Sequence, residues 1–249
     1  MKKQEQPIIL QDEITLGGQT ISYRMRKSVR AKNLRLSISE ENGLEVVLPK
    51  QYSLGEISQI EDFLRQKEVW ILDKMKLMAE QTALKEAAEG NFLSRIRYLD
   101  QEYPIVVILD SDAPIRVELN GDKALFTLPE NREELIQQVI QAWYPWAAKQ
   151  FIEERCPHWA EKMRVSYQRI YIKNQKSRWG SCSGSKNLSF NMRLIMAPIE
   201  VVDYVIIHEL THLKEMNHSP VFWQMVADFC PSYQEHRDWL KKYGAGLIL

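Results

Sequence analysis

The sequence predicts an α+β fold: a β-rich N-terminal part with a long helix, then a mainly helical C-terminal part. Three observations predict it. Short apolar segments separated by Gly-Gly and Asn-Gly turns recur before residue 130. Two long stretches, from about Leu54 to Ala88 and from Glu133 to about Ala160, carry no such turns and read as helix. The run Ile206–Trp223, IIHELTHLKEMNHSPVFW, holds three of the five histidines, two of them at helical spacing.

The elements follow in order. Ile14 to Tyr23 is a hairpin around Gly17-Gly18. Leu34, Leu36 and Ile38 alternate with polar residues, as on a half-buried strand, and Asn42-Gly43 turns the chain into the strand LEVVLP, closed by Pro49. Ser53 and Glu56 make a capping box for the long helix, and Gly90-Asn91 ends it. Tyr103–Leu109, Ile115–Leu119 and Ala124–Leu128 are strands, the last two joined by Asn120-Gly121. The stretch from Glu133 is one helix, or two joined near Pro145. Ser166–Ile172 and Leu188–Leu194 read as strands. Pro198 sits in the first turn of a helix that carries His208 and His212 and stops at Asn217. Ser219-Pro220 opens the next helix, and Pro231 a last one ending near Gly244. These elements suggest residues 1–90 as strands plus long helix, 91–130 as a β-rich connecting segment and 131–249 as the histidine-bearing domain. No internal repeat is legible.

Composition narrows the function. With 249 residues, 45% of them hydrophobic, the chain can bury a core in one large or two small domains. A net charge of zero gives no general argument for a polyanion partner. The opening MKKQEQPIILQDE lacks the apolar run of a signal peptide, and no stretch approaches the roughly 20 apolar residues that span a bilayer. Three cysteines, Cys156, Cys182 and Cys230, are odd in number and far apart, so neither a disulfide framework nor a CxxC site is expected. A cytoplasmic setting without membrane attachment is the expectation.

His208 and His212 lie four apart and project from one helix face, with Glu209 offset by about 100 degrees. This is the HExxH pattern: two zinc ligands and a general base for the attacking water. A catalytic site needs a third ligand and an open position. Glu215 is seven residues from His208, about 10.5 Å along a helix axis, too far to share an ion on a straight helix. His218, beyond the helix end, can turn back and fits better.

The stretches QKSRWGSCS, NMRLIMAP, DYVIIHELTHLKEMNHSPVFW and PSYQEHRDWLKKYG, with RKSVRAKNLRLSISEENGLEVVLP near the front, together resemble the YgjP-like family of metal-dependent hydrolases, distantly related to SprT-like and WLM proteins. The resemblance implies a zincin-like C-terminal metallopeptidase domain with an HExxH active-site helix. It implies His208, His212 and His218 as ligands to one Zn2+ per chain and Glu209 as the catalytic base. The substrate it implies is a peptide or protein. A metal-dependent nucleotide pyrophosphatase, and a metal-stabilised nucleic-acid-binding module with little catalysis, are the alternatives.

Around the metal, Arg178 is a candidate catalytic residue that can hold a developing oxyanion, a carboxylate or a phosphate. Trp179 and Gly180 shape the turn beside the active-site helix. Cys182 is a small buried thiol rather than a fourth ligand, which would close the site. Phe222 and Trp223 are expected in the core, Tyr233 and His236 are minor candidates for proton donors, and His158 is a surface or capping residue. Arg24, Arg26, Lys27, Arg30, Lys32 and Arg35 form a basic cluster that can meet phosphates of a nucleotide or nucleic acid. The neutral overall charge favours a solvated strand face there instead.

Overall fold

The computed structural model describes residues 9–52, 57–90, 93–175 and 177–249. It is α+β and divides into two compact units, Met1–Thr82 and Ala83–Leu249, with the boundary inside a helix. Among the described residues no helix is long and apolar enough to cross a membrane.

The first unit opens with β1 (Ile9–Leu16) and β2 (Gln19–Ser28), antiparallel around Gly17 and Gly18. Both glycines have positive φ, 54° and 76°, as the tight primed turn requires. Gly17 also permits close approach, since a Cβ there would lie 2.7 Å from Leu72 Cδ1. β3 (Arg35–Ser39) and β4 (Gly43–Pro49) form the Asn42-Gly43 hairpin, and β4 lies parallel to β2, giving the order β1-β2-β4-β3. The inward side chains, among them Ile21, Tyr23, Met25, Val46 and Leu48, pack with Ile60, Leu64 and Ile71 of the helices that follow.

Those helices are α1 (Ile57–Gln66) and α2 (Glu68–Glu89), not one continuous helix. At Lys67 the amide bonds Leu64 O, three residues back, and the ladder restarts with Ile71 N on Lys67 O. No proline or glycine marks the break. Its correlate is tertiary: the Glu68 carboxylate accepts the Gly17 amide at 2.6 Å, tying the first turn of α2 to the hairpin. The Ser53–Glu56 capping box and Asn91 lie outside the described residues.

The second unit repeats the pattern. β5 (Arg95–Tyr98), β6 (Gln101–Leu109), β7 (Arg116–Asn120) and β8 (Lys123–Leu128) form a sheet of order β5-β6-β8-β7, again with a parallel central pair and two flanking antiparallel pairs. Each sheet is followed by helix, and β4 and β8 both run into Leu-Pro. This internal repeat of topology is hidden in the sequence because few identities accompany it. β5 is missing from the sequence reading for a physical reason: RIRY is half charged, and its turn, Leu99-Asp100, is no turn signature. Both residues nonetheless take positive φ, 47° and 67°. Their amides are held by Ile195 O and Met196 O.

α3 (Glu133–Met163) is one helix through Pro145 and Pro157. Each proline removes a backbone donor, yet a buried stripe from Ile136 through Tyr144, Ile152 and Cys156 to Met163 runs along the whole length and keeps it continuous. Tyr144 Oη bonds the Arg97 amide and carbonyl, fixing β5 to this helix.

A small sheet comes next: β9 (Ile170–Lys173), β10 (Gly180–Cys182) and β11 (Leu188–Asn191), in the order β10-β11-β9. β10 occupies a stretch read from sequence as turn. β11 ends at Asn191, not Leu194, because the Asn191 side chain accepts the Arg193 amide and caps a 3₁₀ turn over Met192–Met196. α4 (Ile199–Thr211) follows, with Pro198 as its N-cap rather than a first-turn residue. It ends well before Asn217. Leu213 and Lys214 take tighter i−3 bonds, and the Lys214 ammonium donates to Met163 O at the end of α3, drawing the chain off the helical path. α5 (Pro220–Phe229), capped by Ser219, and α6 (Tyr233–Tyr243) complete the unit. α4 is held to α3 by Asp203, 8% exposed, whose carboxylate takes two bonds from Arg155 (2.5 and 2.6 Å) and one from Trp159.

Candidate metal centre

α4 is apolar along VVDYVII and almost wholly buried, so its last turn is delivered against the core with little freedom. His208 lies in that turn and His212 is the C-cap residue. The chain then loops back, and His218 enters from just before α5. One ligand nitrogen from each of the three lies within 4.8 Å of the others, and among the described residues they form a group that could hold a metal ion.

The ring contacts explain the assembly. His208 Nε2 and His218 Nε2 approach to 3.0 Å. His212 Nδ1 bonds Glu215 O at 3.2 Å, which leaves its Nε2 for another partner. The fully buried Phe222 ring lies 4.6–4.9 Å from all three imidazoles and forms a rigid apolar floor. Trp223 stacks on His218 at 5.6 Å. Three imidazoles at zinc distances of about 2.0–2.1 Å would hold their nitrogens roughly 3.3 Å apart. The observed cluster needs only small side-chain shifts to reach that, so the donor set fits such an ion. Burial, with the neighbouring His212, His218 and Arg237, pulls His208 down to about 3, so this ring is neutral and its lone pair available near pH 7. Burial also lowers His212.

Glu209 is 4% exposed, and its Oε2 has no hydrogen-bond partner. Burial pushes its carboxyl up to about 8, opposed by the charge of Arg178. The close approach of β10 makes this burial: a Cβ on Gly180 would sit 2.5 Å from Glu209 Oε1. Asn191 sets β10 in place. Its side-chain amide donates to Gln175 O and Arg178 O, and its backbone amide to Trp179 O. A metal-ligating cluster beside a buried, under-satisfied carboxylate is the arrangement that hydrolytic metal sites use.

The sequence profile of the YgjP-like metallopeptidase domain matches residues 32–243, most of the chain. The chain belongs to the YgjP-like family. No curated protein matches it closely enough to add to this. Among solved structures, the YgjP-like chain is similar to the metallopeptidase zymogen of Pyrococcus abyssi abylysin, with 23% identity over 36% of this chain and 90% of that one, at a TM-score of 0.34.

The remaining predicted residues of this YgjP-like chain fall as follows. Arg178 is exposed, and its charge acts on Glu209. Trp179 is wedged against Gly244, where a Cβ would come within 2.7 Å of the indole, and Arg193 lies over its ring. The Cys182 thiol points to Ser183 O and is not part of the histidine group. Phe222 is core, whereas Trp223 is only half-buried. Tyr233 stacks on Trp223 and His236 lies 6.3 Å from Tyr204; neither joins the nitrogen cluster. His158 packs edge-on against Trp159, far along α3. In the first unit, Arg26 of the basic cluster pairs with Glu45 at 2.7 Å and Arg24 bonds Asn42. The sequence reading missed Asn191, Tyr204 and Arg237. Asn191 was legible as a polar residue at the end of an apolar strand. Arg237 carries no local signal, because it reaches the site only through the packing of α6 on α4.

Proposed function

We propose that the chain is a zinc-dependent metallopeptidase of the HExxH type, with residues 131–249 as a zincin-like catalytic domain. His208, His212 and His218 hold one ion, and Glu209 is the general base. The observation that carries this reading is the convergence of three imidazole nitrogens beside a buried carboxylate with an unpartnered oxygen. The family match supports a peptide or protein as substrate.

A zinc ion bound there would polarise the scissile carbonyl and make water a nucleophile at neutral pH. Glu209, fixed against Gly180, takes the proton of the attacking water on its free oxygen and returns it to the leaving amine. Phe222 and the apolar part of α4 exclude bulk water and hold the imidazoles in their rotamers. Arg178 contributes positive charge where the carbonyl oxygen becomes an oxyanion.

Metal analysis of the purified protein and its variants tests the reading. About one zinc per chain is expected, lost in His208→Ala and in His218→Ala. Glu209→Gln is expected to keep the zinc and lose about 10²–10⁴ of the peptide turnover. Zinc that survives removal of His218 would refute the three-histidine site. Full turnover in Glu209→Gln would refute its role as base.

A further inference from the structure

A cavity of about 310 Å³ adjoins the histidine site, and the α6 residues in its lining, Arg237, Leu240 and Lys241, have no part in the chemistry above. His208 and Glu209 line it, so whatever fills it lies beside the reacting bond. Tyr204, Val205 and Leu240 give it apolar walls, and Arg237 of α6 also faces it. Arg237 is exposed, its guanidinium carbon lies 5.2 Å from the centre of the Trp223 ring, and Trp223 itself stacks between His218 and Tyr233. Among the described residues Arg237 has no ion pair, and it shares the cavity lining with His208. An arginine laid on an aromatic face, without an ion-pair partner among the described residues, beside a cavity with both apolar and polar walls presents a fork that fits a planar anion. Lys241, one turn further along α6, lines the same cavity.

We propose that this cavity is a substrate subsite in which Arg237 receives a carboxylate of the peptide, close to the bond that is cut. The inference rests on the peptidase reading and adds a substrate class to it. The carboxylate has two sources, the C-terminus of the peptide or the side chain of an Asp or Glu, and both offer the same planar, bidentate acceptor.

The test uses the full-length, zinc-loaded protein and matched pairs of internally quenched peptides. One series exchanges Glu for Gln at each position around the cut; the other compares free and amidated C-termini. For wild type, kcat/KM is expected to favour the carboxylate member of one pair by about tenfold. Arg237→Ala should bring that ratio close to one, Arg237→Lys should restore part of it, and Arg237→Glu should invert it. A preference confined to the free-acid series identifies the terminal carboxylate; one confined to a single Glu/Gln position identifies a side chain. Cleavage with a ratio that none of the Arg237 variants changes overturns the subsite and leaves the peptidase reading standing. Absence of cleavage of every peptide, with zinc bound, overturns both.

Discussion

Glu209 and Gly180 illustrate how little room the site leaves at the scale of single residues. Gly180 has an ordinary strand backbone, so alanine is conformationally acceptable there, but its methyl group would overlap the Glu209 carboxylate. Gly180→Ala is therefore expected to move the carboxylate and reduce peptide turnover about 10–100-fold while zinc content stays near one per chain, as metal analysis beside kinetics would reveal. The same burial predicts a pH dependence of the metal-free protein. The Glu209 carboxyl stands at about 8 in the folded chain against an ordinary 4.5, so the native state holds the extra proton and loses stability as pH rises through that window. His208, lowered from 6.5 to about 3, acts in the opposite sense, and its contribution is lost as pH falls below 6.5. Thermal melts of EDTA-stripped protein should show a maximum in the overlap. Glu209→Gln should remove the alkaline limb and raise Tm at pH 8 by about 4 °C or more.

Between elements, two polar anchors decide where the site sits. Arg155 of α3 and Trp159 together satisfy Asp203 of α4 with three hydrogen bonds. Asp203→Ala leaves the partly exposed Arg155 guanidinium and the Trp159 indole N–H without their acceptor, and urea unfolding is expected to show a loss of about 1–3 kcal/mol. Asn191 couples β11 to the segment that bears Arg178 and Trp179. Asn191→Ala removes the side-chain donor to Arg178 O and one of the two donors to Gln175 O, which Arg193 still bonds, with an expected cost of about 1–3 kcal/mol. Because β10 presses on Glu209, this variant should also lose turnover out of proportion to its stability. α4 itself was legible from Pro198, the apolar run and the i, i+4 histidines. Its end was not, because the Lys214 bond to Met163 that turns the chain away from the helix is a contact across 51 residues.

For the whole molecule, the three histidines come from the end of α4 and the loop before α5, so an ion held there would join α4 to α5. Metal binding there would add about 4 kcal/mol to stability at a thousandfold excess over Kd. Removal of metal by a chelator is expected to lower the thermal transition of wild type, while His212→Ala should melt at the same temperature with and without chelator. The repeated four-strand pattern in the two units carries a related lesson. Hairpins marked by Gly-Gly or Asn-Gly could be read directly, whereas β5 and its Leu-Asp turn could not, since that turn depends on Ile195 and Met196 carbonyls far along the chain.

The α+β class, the approximate place of most strands and helices, the metallopeptidase family and the histidine pattern could all be read from the amino-acid sequence. All of these rest on local spacing, turn chemistry or contiguous motifs. Tertiary structure decided the rest: the break at Lys67, the continuity of α3 through two prolines, the end of α4, the burial of Glu209 beneath Gly180, and the arrival of Arg237 beside His208. Each of these depends on the close packing or hydrogen bonding of residues distant in the chain, for which neighbouring residues carry no periodic or local mark.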